Sequence, residues 1–202
     1  MRRTKDDAEI TRQSLLDAAL QVFSHQGYSA ARLEDIAERA HVTRGAIYFH
    51  YGSKAELFAA LVEQAALAGN QAVAQAIQAG GPFLDILRRV LRETLRLLDE
   101  DPRFRGAMAL MLFNSGDSPE LSALRSLRAG QGTVQLDQIT GFFQIGIAQG
   151  DLRPDLDPKA AAYAFLAYQN GLISMRILAP GSISPERDAD LADLFVRGIA
   201  PA

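Results

Sequence analysis

The sequence predicts an all-α protein of about nine helices, in which an N-terminal helix-turn-helix head precedes a larger helical body. Apolar residues recur at intervals of three and four along almost the whole chain, which is the spacing of one helix face. No stretch shows the alternating β-branched residues of a half-buried strand. At four places a proline follows an aspartate or a serine, a pair that is typical of a helix start.

Residues 10–78 are predicted to form four helices. The first, over residues 10–26, ends before a glycine. Two short helices follow, separated by a tight turn at residues 41–43. Ser53 and Glu56 then form a capping-box pattern that begins a longer helix, which extends to about residue 78.

Prolines divide the remainder of the chain into five predicted helices. The residue before each of these prolines can accept a bond from a free backbone N–H, and proline suits the first helical position. The pairs are Asp101-Pro102, Ser118-Pro119, Asp157-Pro158 and Ser184-Pro185. The predicted helices are roughly 82–99, 102–115, 119–149, 158–179 and 185–199. The helix over 119–149 contains four glycines, so we expect a kink or break near 130–132.

The composition restricts the class of protein. With 202 residues, of which 48% are hydrophobic, the chain can form one domain, or a small one and a medium one. It has no cysteine, which excludes disulfides and thiolate metal sites. No apolar run reaches the roughly 18–20 residues of a membrane span, and the charged N-terminus lacks the apolar core of a signal peptide. These features predict a cytoplasmic protein, and none of them indicates a metal or a cofactor.

Residues 33–58 carry the feature that indicates a function. Two apolar stripes, one on each side of the turn, would hold the two short helices together. The side chains outside the second stripe are hydrogen-bonding groups that suit phosphates and base edges, namely Thr43, Arg44, Tyr48 and His50. This is the layout of a helix-turn-helix, whose second helix enters the major groove of DNA.

The charge of the chain gives this interpretation little further support. The net charge is −3, and residues 1–60 contain eight basic and eight acidic side chains. A neutral head can bind DNA if its charges are sorted onto different faces. We therefore expect a modest and salt-sensitive affinity for non-specific DNA.

The segment from Ile10 to about Leu61 resembles the DNA-binding domain of the TetR family of bacterial transcription regulators. The most specific part is Val-Thr-Arg-Gly-Ala-Ile-Tyr-Phe-His-Tyr at 42–51, followed by Ser-Lys-Ala-Glu-Leu-Phe at 53–58. A weaker resemblance at 164–178 is to the AcrR-like, multidrug-responsive branch. The family usually has glycine where this chain has His41, and a positive φ there would cost histidine more than glycine.

The resemblance implies a helix-turn-helix DNA-binding domain over residues 1–60 and a ligand-binding and dimerisation domain over residues 61–202. The candidate DNA-binding residues are Thr43, Arg44, Gly45, Tyr48, His50, Tyr51 and Lys54. Arg44 would reach a guanine edge or a phosphate, and Lys54 would bind a phosphate at the start of the next helix. Gly45 would leave room for the backbone to approach DNA closely.

Part of the predicted body suits a small apolar ligand. Adaptable methionines, aromatic rings and a few polar groups are typical of flexible apolar sites. The resemblance to ligand-responsive regulators favours this interpretation over a plain core. The candidate ligand-binding residues are Met108, Met111, Leu112, Phe113, Gln138, Phe142, Leu166 and Asn170.

The last two predicted helices carry more apolar surface than a small body needs. The resemblance implies that they pack with the same helices of a second subunit across a two-fold axis, which two DNA-reading heads also require. The candidate dimerisation residues are Phe165, Leu172, Ile173, Leu191, Leu194 and Phe195.

The sequence therefore predicts a homodimeric transcriptional regulator, a repressor that a small hydrophobic or aromatic effector releases from palindromic double-stranded DNA. It does not predict an enzyme, because no nucleophile is paired with a base. Two alternatives stay open. One is a constitutive DNA-binding regulator without an effector. The other is a helical small-molecule-binding protein or enzyme with a vestigial DNA-binding head.

Overall fold

The computed structural model describes the backbone of residues 5–113, 119–181 and 183–201, and the side chains of residues 6–113, 134–181 and 183–201. This part of the chain forms nine α-helices and one 3-10 turn and contains no strand, which confirms the all-α prediction. The helices are α1 Lys5–Ala30, α2 Leu33–Arg39, α3 Arg44–Tyr51, α4 Lys54–Gln78, α5 Phe83–Glu100, α6 Pro102–Phe113, α7 Pro119–Ala148, α8 Pro158–Leu178 and α9 Asp188–Ile199.

Most of the predicted helix boundaries are confirmed. Pro102, Pro119 and Pro158 are the first residues of α6, α7 and α8. Before α8, the Asp157 carboxylate accepts the backbone N–H three residues later at 2.6 Å, as a helix cap does. Ser118, the predicted cap of α7, lies outside the described residues.

Two features of the backbone differ from the prediction. α7 runs through residues 130–132 without a break, because an isolated glycine weakens a helix by only about 1 kcal/mol. Pro185, the proline of the last predicted pair, begins a 3-10 turn that extends to Arg187, and α9 begins after it. The glycine predicted to end α1 acts as expected, since Gly27 has a φ of 75° and interrupts the helix there.

The chain folds as two compact units. The first consists of residues 1–68 and 102–126, and the second of residues 69–101 and 127–202. The first unit therefore includes α6, which the division of the sequence after residue 60 assigns to the second domain.

Small and charged side chains explain why α6 packs on α1 within the first unit. A Cβ atom on Gly106 would lie 3.0 Å from a methyl carbon of Leu20, so the Leu20 side chain would have to shift to admit a larger residue. The Arg103 guanidinium donates to the Asp17 carboxylate at 2.7 Å. Leu110 of α6 is fully buried in the core of the first unit.

Aromatic residues pack against one another in each unit. In the first unit, Phe23, Tyr28 and Phe58 pack with ring centroids 5.3 to 5.6 Å apart. In the second unit, Phe83 stacks on Phe142 with ring centroids 4.4 Å apart. Ring pairs at these distances contribute roughly 0.5–1.5 kcal/mol each beyond the apolar area that they bury.

Replacement of Gly146 on α7 by alanine is expected to destabilise the protein by about 1–3 kcal/mol. A Cβ atom there would lie 2.7 Å from the Phe83 ring, which is itself held by Phe142. The control is Gly141→Ala on the same helix, where a Cβ would meet no described atom within 4 Å. That change should stabilise by roughly 0.5–1 kcal/mol, because alanine favours a helix. Urea denaturation followed by circular dichroism measures both, and effects of the same sign would contradict the packing.

A buried arginine joins three helices of the second unit. Arg176 of α8 is 5% exposed and donates to the carboxylates of Asp99 on α5 and Asp188 at the start of α9. Its Nε atom is buried and has no hydrogen-bond partner among the described residues. Burial raises the pKa of Asp188 above its ordinary value, while Arg176 acts in the opposite direction.

Candidate DNA-binding surface

The turn between α2 and α3 has a defined backbone geometry. The His41 N–H donates to Glu38 O at 3.0 Å, and the Val42 N–H donates to Ala37 O at 2.9 Å. These two bonds form a Schellman motif, which needs a left-handed residue at the position of His41. His41 has a φ of 55°, the one positive φ among the described non-glycine residues. Histidine therefore occupies the conformation that glycine would adopt with less strain.

One face of α3 is buried and the other is open to solvent. Ile47 and Tyr51 are buried in the first unit. The exposed residues at the start and middle of the helix are Thr43, Arg44, Gly45, Tyr48 and Phe49. A Cβ atom on Gly45 would lie an ordinary 3.7 Å from Thr43 Oγ1, so the fold itself does not require glycine there. The Thr43 side chain makes no capping bond, which leaves its hydroxyl on the exposed face.

Arg44, Tyr48 and Glu34 form a polar cluster across α2 and α3. Arg44 Nη1 donates to Glu34 Oε1 at 2.5 Å, and Arg44 Nη2 donates to Tyr48 OH at 2.7 Å. The Arg44 guanidinium carbon lies 5.4 Å from the centroid of the Tyr48 ring. The hydrogen bond to Tyr48 and the charge of Glu34 both raise the pKa of Arg44. Two of the predicted DNA-binding side chains are thus placed side by side on the exposed face.

Tyr51 and Lys54, in contrast, have partners inside the first unit. The Tyr51 hydroxyl donates to Arg12 O at 2.8 Å, and burial raises the pKa of Tyr51 to about 12. Lys54 Nζ donates to the carbonyl oxygens of Tyr28 at 3.0 Å and Ala31 at 3.1 Å. These bonds tie the end of α1 to the start of α4. A contact of either residue with DNA stays a prediction, and the structure gives both a role within the fold.

His50 and Phe49 lie next to each other at the end of α3. The His50 ring contacts the Phe49 ring edge-to-face with centroids 5.0 Å apart, and His50 Nε2 is buried without a partner among the described residues. Phe49 is 82% exposed and is not among the DNA-binding residues predicted from the sequence. A large apolar residue outside both apolar stripes of the motif was the signal that could have indicated it.

The predicted ligand-binding residues are divided between the two units. Met108, Met111, Leu112 and Phe113 lie on α6 in the first unit, and Gln138, Phe142, Leu166 and Asn170 lie in the second. Phe142 stacks on Phe83, whereas Gln138 and Asn170 are exposed. Their role in binding an effector stays a prediction.

The predicted dimerisation residues lie on both faces of α8 and α9. Phe165, Leu172 and Ile173 are buried within their own chain, while Leu191 and Phe195 are partly buried and Leu194 is 65% exposed. The outward face of α8 carries other apolar residues, namely Tyr163, Met175 and Leu178. Because α8 is apolar on both faces, its spacing could not show which face packs on the chain's own core.

A short helix that follows a tight turn and is open to solvent along one face can enter the major groove of DNA. The fold and this surface therefore define a DNA-binding protein of the helix-turn-helix class. Residues 15–61 match the model of the family described as bacterial regulatory proteins, tetR family. The chain is also 32% identical to the HTH-type transcriptional regulator AcrR of Shigella flexneri, over 93% of this chain and 88% of AcrR. The chain belongs to the tetR family, so it is a DNA-binding transcriptional regulator and not an enzyme.

Two solved structures support this assignment along the whole chain. NalD, described as the secondary repressor of the MexAB-OprM multidrug efflux pump in Pseudomonas aeruginosa, is 27% identical with a TM-score of 0.83. The match covers 96% of this chain and 98% of NalD. A complex of SmeT with triclosan is 29% identical with a TM-score of 0.77, and the match covers 95% of this chain and 92% of SmeT. The predicted AcrR-like resemblance is confirmed by the 32% identity to AcrR.

None of the described helices combines the length and the apolar character that a crossing of the bilayer needs.

Proposed function

We propose that the chain is a homodimeric repressor that leaves its operator when a small hydrophobic or aromatic molecule binds the second unit. The exposed face of α3 carries the proposal, because Arg44, Tyr48 and Phe49 stand on it beside a glycine. Release by a ligand is supported by the similarity to SmeT, which was solved with triclosan. The similarity to NalD supports an operator that controls genes for a multidrug efflux pump. Since its target is chromosomal DNA, we place the protein in the cytoplasm.

The exposed side chains of α3 have distinct proposed roles on DNA. Arg44 binds a guanine edge through its fork of donors, and the Tyr48 hydroxyl binds a phosphate. Phe49 has no hydroxyl, so we assign its ring to a thymine methyl group or a sugar. Gly45 lets the backbone approach DNA, and the Thr43 hydroxyl donates to a phosphate. We give Tyr51 and Lys54 the role of holding α3 in place.

Effector and operator antagonise each other reciprocally in this proposal. α4 contributes residues to both units, and we propose that it transmits the effect of the ligand to α3. A near-complete switch needs a difference in ligand affinity between the two states of about 5 kcal/mol. Without such a difference the protein would be the constitutive regulator, the alternative that the sequence left open.

Replacement of Arg44 by alanine is expected to weaken operator binding by about 1–3 kcal/mol, roughly 5- to 150-fold. The operator is first selected from fragments of the source genome with the wild-type protein. Footprinting should show two inverted half-sites whose centres lie about 34–36 Å apart or a multiple of that distance. Arg187→Ala removes the same charge from an exposed position of the second unit and should bind as wild type. Equal affinity of all three proteins would remove Arg44 from the interface.

Triclosan is the first probe of effector release. The expected result is that triclosan lowers the affinity of the wild-type protein for the selected operator and raises its thermal unfolding temperature. A broader set of hydrophobic antibiotics and dyes extends the screen. If no compound changes either quantity, the constitutive alternative replaces the ligand-responsive one.

A further inference from the structure

The second residue of α2, Glu34, contacts the side chain that we assign to base recognition. Its carboxylate accepts a hydrogen bond from Arg44 at 2.5 Å, and Arg32 Nε lies 3.9 Å from its second oxygen. The Glu34 and Arg44 side chains are both about half exposed, so water and incoming DNA can reach the pair. An ion pair this exposed is weak and can exchange its partners readily.

DNA and Glu34 therefore compete for the same guanidinium. When a phosphate binds Arg44, one anionic oxygen beside the guanidinium is replaced by another, so the exchange contributes little binding free energy. A correctly placed guanine instead offers two acceptors that match the fork of the guanidinium. If the carboxylate stays beside Arg44 in a complex, it also repels the neighbouring phosphates.

We propose that Glu34 is a selectivity residue, whose carboxylate opposes binding to non-specific DNA more strongly than binding to the operator. It acts as a repulsive group built against the unwanted partner, which is one of the two general routes to specificity. A regulator must find its site among a large excess of other DNA, so the ratio of the two affinities matters more than either one. The inference rests on the proposed DNA-binding face of α3.

The test compares Glu34→Gln with Glu38→Gln. Glu38 is an exposed residue of the same helix, one turn later, and its replacement changes the net charge equally. The DNA probes are poly(dI-dC) for non-specific binding and the operator fragment selected with the wild-type protein. Glu34→Gln should bind poly(dI-dC) about 5- to 10-fold more tightly and the operator at most about twofold more tightly. The salt dependence of non-specific binding should become steeper by about one unit, since one more cation can then neutralise a phosphate.

The Arg44→Ala background shows whether the effect passes through this arginine. There, Glu34→Gln should change neither affinity by more than Glu38→Gln does. Equal effects of the two glutamine variants in the wild-type background would overturn the proposal. So would a loss of operator affinity in Glu34→Gln, which would make Glu34 a residue that orients Arg44. A failure of the proposed function would be distinguishable, because Arg44→Ala alone would then bind both DNAs as the wild type does.

Discussion

We expect the replacement of Arg176 by methionine to lower the free energy of unfolding by about 3–5 kcal/mol. Arg176 is the cation between Asp99 and Asp188, and Asp188 is only 8% exposed. Methionine fills a similar volume but leaves a buried carboxylate without its partner, and an uncompensated buried charge is among the largest single destabilising changes. Urea denaturation at a fixed protomer concentration measures the effect, because dimerisation would otherwise shift the apparent stability.

A surface arginine provides the control for this change. Arg96→Met on α5 also removes an arginine with two carboxylate partners, Glu93 and Glu100, but that cluster is exposed. Arg96→Met should lower the free energy of unfolding by at most about 1 kcal/mol. The combination of Arg176→Met with Asp99→Asn and Asp188→Asn should recover part of the stability, since it removes the unpaired charges as well. Similar losses for Arg176→Met and Arg96→Met would mean that burial of the cluster is unimportant.

Replacement of Leu194 by aspartate should convert the dimer to a monomer and weaken operator binding by roughly 100-fold or more. Leu194 is exposed in its own chain, as are Tyr163, Met175 and Leu178, so the charge would not disturb the core of the protomer. In a dimer that uses this apolar surface it would be buried without a partner. Two heads on one dimer raise each other's effective concentration at the operator, and a monomer loses that advantage.

Leu67→Asp is the matched control for the dimer prediction. Leu67 lies on α4 and is 56% exposed, so the substitution adds the same charge at a comparably exposed leucine. Analytical ultracentrifugation gives the assembly state and a mobility-shift titration gives the affinity. A dimer of normal stability in Leu194→Asp would show that the subunits associate through another surface.

The sequence predicted the helices well where local chemistry determines their ends. The Ser53 hydroxyl accepts the Glu56 N–H at 3.1 Å at the start of α4, and Asp157 caps α8 as its pairing with proline indicates. The sequence predicted a positive φ at residue 41 only as a condition, from the glycine that the family usually has there. The structure shows it, and the turn bonds that require it join residues only a few positions apart. Such interactions are readable because both partners are close in the sequence.

The features that the sequence could not predict depend on partners far along the chain. The position of Lys54 at a helix start predicts a phosphate ligand, but its ammonium group donates to the carbonyl groups of Tyr28, in the last turn of α1, and Ala31, just after it. The sequence predicts the same role for Leu172 and Leu194, as apolar residues of the last two helices. The first is nevertheless buried in its own chain, and the second is exposed. Helical spacing shows that a face is apolar, but not which surface covers it.

The inclusion of α6 in the first unit has a consequence for the transfer of the DNA-reading part to another protein. A fragment cut after residue 68 would contain the whole helix-turn-helix but not α6, and the buried Leu110 would leave a hole in its core. The surface of α1 around Leu20 would also become exposed to solvent. The intervening residues 69–101 contain the end of α4 and the whole of α5 and belong to the second unit, so they would not be part of such a fragment. A transferable DNA-binding fragment would therefore need α6 attached to the end of residues 1–68 through a short linker.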